Sequence, residues 1–153
     1  MGLRSMLRSL LRPSTKPATP TAHIGVVSAR PDTKPAISYA PRADGDADPG
    51  EVVWTWVPYE DDPAQGKDRP VLVIGWDHDR LVAIQLTSKD HTDHPDNMEV
   101  GTGPWDKSGR PSYVKLDRLL LVDPSAVRRE GGALDKPRFD DVVRRLADVH
   151  HWH

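Results

Sequence analysis

The sequence predicts a mainly β domain: a small barrel of about five short strands with a C-terminal helix. Three observations carry this. Apolar and β-branched runs of strand length recur between residues 51 and 122. Clusters of Asp, Gly, Pro and His separate them. The period then changes, and Phe139, Val142, Val143 and Leu146 fall on one helical face.

Taken in order, residues 1–12 space Leu3, Met6, Leu7, Leu10 and Leu11 like a short helix, with Arg4, Arg8 and Arg12 four apart on another face. So short a helix is marginal in water, and the segment reads as a frayed extension. Residues 13–48 are rich in Pro, Ala, Thr and Asp and lack periodicity, which reads as a disordered linker. The domain is therefore expected over residues 49–153, entered through the Pro49-Gly50 turn. Residues 51–57 form the first strand and 58–69 a long loop. Residues 70–75 and 81–87 follow as a hairpin, and 88–111 read as a long excursion of turn formers. Residues 112–117 alternate like a strand with one wet face, and 118–122 give one more. Asp123-Pro124-Ser125 opens a short helix that Gly131-Gly132 stops. Asp135 caps the last helix, from Pro137.

Composition narrows the function classes. There is no cysteine among 153 residues, so disulfide frameworks and thiolate zinc sites are excluded, which fits a cytoplasmic location. No apolar run has the length of a membrane span. Residues 1–48 carry seven Lys/Arg against four Asp, net +3; residues 49–153 carry 14 against 19 Asp/Glu, net −5. An acidic domain counts against general nucleic-acid affinity, while leaving room for a small basic groove.

The chemistry concentrates at one end of the expected hairpin. Pro70 fixes its own backbone and biases Arg69 towards an extended form, so a guanidinium stands at the mouth of a strand. The paired run ends in Thr87, Ser88 and Lys89. Arginine beside a hydroxyl on rigid strands suits a phosphate. The bland alternative is a surface ion pair of Arg69 with Asp62, Asp68 or Asp117. Trp54 and Trp56 lie two apart on one face, where core packing or a subunit interface outweighs base stacking; Tyr59, in the loop, is the better stacking candidate. Lys67, Lys89 and Lys115 are candidates for tracking a nucleic-acid backbone. His91 and His94, and the tail His150, His151 and His153, lack cysteine partners and do not read as a metal site. Gly101-Thr102-Gly103 reads as a turn.

In order and spacing these pieces resemble the MazF/PemK family of bacterial toxin endoribonucleases, over roughly residues 49–147. The matching residues are Pro49 to Trp54, Pro58, Gly66 to Ile74 with its Arg-Pro step, Leu86-Thr87-Ser88, and Ser112 to Leu119. The resemblance implies an SH3-like barrel, usually a homodimer, that cuts single-stranded RNA without metal or other cofactor. It implies a cognate antitoxin covering the RNA groove, with operator DNA met only through that partner. It carries catalytic roles to Arg69 and Thr87. Metal-free cleavage uses the 2′-OH as nucleophile and needs a base, for which Glu60 is preferred over Asp61 and Asp62. Tyr59, Lys67, Ser88 and Lys89 are the expected RNA contacts. Residues 88–111 are longer than in the shorter members, and residues 1–48 have no counterpart. The rival class is a non-catalytic member of the fold that binds RNA or protein.

Overall fold

The computed structural model describes residues 25–42, 46–89 and 95–152. The expected helix over residues 1–12 and the His91/His94 pair lie outside them. Nine strands make one curved sheet that does not close on itself: β1 (Val26–Ser28), β2 (Ala36–Ile37), β3 (Glu51–Pro58), β4 (Gly66–Asp77), β5 (Arg80–Thr87), β6 (Asn97–Gly101), β7 (Ser112–Lys115), β8 (Leu120–Val122) and β9 (Arg129–Ala133). The helix α1 spans Lys136–His150. The sheet order is β1-β8-β5-β4-β3-β9; β2 lies on β4, and β6 pairs with β7.

The β4–β5 hairpin turns through His78 and Asp79. His78 takes the left-handed conformation (φ 59°) that a two-residue hairpin loop requires. Alternation along β4 then sends Leu72 and Ile74 to one side and Val71 and Val73 to the other. Each side closes a core. On one, Leu72, Ile74, Ile84 and Leu116 pack against Phe139, Val142 and Leu146 of α1. On the other, Val71, Val73 and Ala83 meet Val26, Val53 and Leu120. Each fully buried Leu, Val or Phe contributes about 1.5–3 kcal/mol of burial free energy, so the central strands are rigid. β5 serves two neighbours. Leu81–Ala83 pairs with β8, and Leu86 and Thr87 pair with Val114 and Tyr113 of β7. The helix begins as expected, with the Asp135 carboxylate accepting from the Arg138 N–H.

Four expectations are corrected. The stretch read as disordered linker contributes two strands: β1 pairs with β8 and β2 with β4. Tyr39 donates to the Leu134 carbonyl at 2.7 Å, and its ring lies 5.0 Å from that of Phe139. Strands of three and two residues show no periodicity of their own; they borrow a partner. The excursion over 88–111 contains β6, paired with β7, and buries Trp105, whose indole N–H donates to Ser112 Oγ at 2.9 Å. The helix after Asp123 is a single 3-10 turn, Pro124–Ala126. Gly131 and Gly132 end no helix but lie in β9, at a bulge between the Val52↔Gly132 and Val53↔Glu130 pairs. A Cβ on Gly131 would meet Trp105 at 2.9 Å, and Gly132 has φ 113°, so glycine is needed at both.

Candidate active site

Recorded pairing of β4 with β5 runs from Asp77↔Arg80 to Val71↔Gln85. Pro70, next along, has no N–H to continue the ladder. Arg69 and Thr87 therefore sit two residues beyond the last pair, at the same end and on the same face. Both line a cleft of about 920 Å³. Lys67, Ser88 and Lys89 line it as well, as do Trp54, Pro104 and Trp105. Its cations, Lys67, Arg69, Lys89, Lys107, Arg110 and Lys115, outnumber its carboxylates, Asp68, Asp106 and Glu130. Among the described residues the acidic domain thus holds a locally positive groove, the arrangement a polyanion needs.

The Arg69 guanidinium is half-buried, and among the described residues no hydrogen bond or ion pair engages it. Two of the three acids named as its bland partners are engaged elsewhere: Asp68 faces Arg128 at 3.4 Å, and Asp117 binds Lys115 at 2.8 Å. Thr87 Oγ1 accepts from the Lys89 N–H at 3.2 Å, which leaves its own O–H proton for an incoming acceptor.

Glu60 and Tyr59 do not line the main cleft. They border a smaller depression of about 380 Å³ with Pro58, Asp61 and Arg118. Arg69, Gln85 and Lys115 border both spaces, so Arg69 is shared by the cleft that Thr87 lines and the depression that Glu60 lines. Glu60 pairs with Lys115 at 3.2 Å. Burial pulls the Lys115 pKa down, but Asp117 and Glu60 outweigh it and hold the ammonium above its usual range. Arg118 is lowered, first by burial and further by Arg69, with Glu60 and Asp117 opposing.

Sequence reasoning missed Gln85, Arg118, Lys107, Arg110 and Trp105 as lining residues. Gln85 left a signal, a lone amide inside the apolar run of β5. The others depend on how residues 88–131 fold back. For Trp54 the core-packing half of the expectation is corrected: it is half-buried and lines the cleft, while Val53 and Val57 fill a core from the other face of β3. Among the described residues no group of three His, Asp or Glu is arranged to hold a metal ion. No helix among them is long and apolar enough to cross a membrane.

Residues 48–150 match the family model of the PemK-like, MazF-like toxins of type II toxin-antitoxin systems. The chain belongs to this family. No curated protein matches it. Among solved structures, this PemK-like, MazF-like chain is similar to an endoribonuclease of a Mycobacterial species in complex with its cognate antitoxin, at 16% identity and TM-score 0.54, covering 69% of this chain and 95% of that one. It is also similar to a MazE–MazF complex from Deinococcus radiodurans, at 21% identity and TM-score 0.53, covering 72% and 100%. MazF alone from that organism aligns at 23% identity and TM-score 0.51, covering 69% and 97%. At such identities the likeness speaks for the fold.

Proposed function

We propose that this PemK-like, MazF-like chain is a toxin endoribonuclease that cuts single-stranded RNA in the cleft between Arg69 and Thr87, without metal. The observation that carries the reading is Arg69, half-buried and unengaged among the described residues, which borders both the cleft lined by Thr87 and the depression lined by Glu60. Glu60 takes the proton of the 2′-OH, and O2′ attacks the neighbouring phosphorus. As the O2′–P bond forms, negative charge grows on the non-bridging oxygens; Arg69 offsets it, and Thr87 donates to one of them. The P–O5′ bond breaks, and the 5′ oxygen takes a proton from solvent. The products are a 2′,3′-cyclic phosphate and a 5′-OH. Tyr59, Lys67, Ser88 and Lys89 are the proposed RNA contacts.

The antitoxin is proposed to occupy the same positive groove, and operator DNA to be met only through it. The toxin is proposed to act as a homodimer in the cytoplasm. The test is cleavage of a long mixed-sequence RNA in EDTA by wild type and Arg69→Ala. Cutting by wild type with 5′-OH ends, lost in the variant, is the expected result. An Arg69→Ala protein that cuts at the wild-type rate removes Arg69 from the centre, and a DNA copy that is cut removes the 2′-OH mechanism.

A further inference from the structure

Arg118 has no role in the mechanism above, yet it shares the smaller depression with Arg69. It is only 6% exposed. A buried guanidinium is costly unless it is paired, and breaking such a pair is costlier still. The acids that act on it, Glu60 and Asp117, are both held on Lys115, at 3.2 and 2.8 Å. Among the described residues its hydrogen bond runs from Nε to Ser28 Oγ, at 3.0 Å. That bond uses one of the five donors of the guanidinium and fixes its plane, leaving the two terminal nitrogens to act as a fork. Two guanidinium groups on one depression repel: Arg69 adds to the burial that lowers Arg118, with Glu60 and Asp117 opposing. Ser28, whose own backbone is paired to Leu120, fixes the Arg118 side of the depression. With Lys115, the depression carries three cations against the carboxylates of Glu60 and Asp61, an excess that suits an anion.

We propose that Arg118, aimed by Ser28, binds the RNA phosphodiester next to the one that is cut. The assignment rests on the ribonuclease reading. Successive phosphates of one strand then lie on Arg69 and on Arg118, with Tyr59, 38% exposed, at the rim. Ser28 belongs to the segment that precedes the family match, so the extension supplies a positioning residue to the groove.

The experiment measures affinity of the full chain for a mixed-sequence single-stranded RNA, methylated at every 2′-OH so that it cannot be cut, across a range of salt. Each phosphate neutralised contributes about 0.7 to the slope of log affinity against log salt. Arg118→Gln is expected to flatten the slope by about 0.7, and Arg118→Lys, which keeps the charge, to retain it. Ser28→Ala is expected to weaken binding about fivefold at an unchanged slope, as for one lost hydrogen bond. A wild-type slope in Arg118→Gln overturns the proposal. Should that variant not fold, Ser28→Ala decides, and wild-type affinity there overturns it. Wild type that neither binds nor cuts RNA removes the ribonuclease reading itself, a different result from a silent Arg118.

Discussion

At the scale of single residues, the proposed centre depends on donors held where charge would develop. Thr87 is fixed by the end of β5 and by the Lys89 N–H it accepts, so its hydroxyl is aimed before substrate arrives. Thr87→Val keeps the shape and removes the donor. Cleavage is expected to slow about 100-fold with little change in RNA affinity, as for loss of one preorganised donor, measured as single-turnover rates beside binding. A Thr87→Val protein that cuts normally would remove the hydroxyl from the mechanism. Glu51 is a different case, since it is buried and serves structure. It accepts from the Arg42 N–H at 2.7 Å and the Asp48 N–H at 3.1 Å. Burial, partly offset by those two bonds, raises its pKa above the ordinary 4.5. The folded state then holds this proton more tightly than the unfolded chain. The stability so gained is full below pH 4.5 and is lost as pH rises through the folded value. The melting temperature of wild type relative to Glu51→Gln is therefore expected to fall as pH rises from 4 towards 7. A gap that stays constant or widens contradicts this.

At the scale of elements, legibility followed self-sufficiency. β3, β4, β5 and α1 carry their own apolar pattern and caps, and the sequence announces each of them. That Arg69 and Thr87 meet at one end of the hairpin was legible for the same reason, because a proline and a strand end fix them locally. β1, β2 and β6 have no such pattern; they exist by pairing with β8, β4 and β7. Gly131 and Gly132 carry the composition of a helix stop, yet close approach of Trp105 and Pro104 is what demands them. Arg118 and Gln85 enter the site through register across strands, which no local window contains. The helix is the element most open to test. Phe139 is fully buried between the sheet and Tyr39. Phe139→Ala is expected to cost about 3–5 kcal/mol in urea unfolding. It should also speed hydrogen exchange at Ser38 and Ala40, whose N–H groups donate to Ile74 and Pro49. Unchanged exchange there would show that the ring contact does not hold the segment.

At the scale of the whole molecule, composition drew its boundary at residue 48, while packing runs back to residue 25. β1 covers one edge of the sheet, β2 lies over the bulge of β4, and Tyr39 and Arg42 are hydrogen-bonded to the body of the domain. A chain starting at Asp48 keeps the family match yet strips a strand from β8. It is expected to melt several degrees lower than one starting at Gly25, by calorimetry. Equal melting temperatures would make residues 25–47 dispensable to the fold. Whether the extension restrains activity is accordingly asked by cutting before residue 25, where the sheet remains whole.

The pairing of β1 also sets an order of assembly. Val26 is joined to Val122, 96 positions later in the chain. On the ribosome the first described strand is made early and waits, since its neighbour emerges after β3 to β7 have been synthesised. The loop it closes is among the longest in the domain, and its entropy is met only when β8 has docked on β5. Ser28 reaches Arg118 in that same late step. An incomplete chain therefore carries Arg69 and Thr87 before it carries a finished groove, and on the reading proposed above a nascent chain lacks full RNA affinity until its synthesis is nearly done.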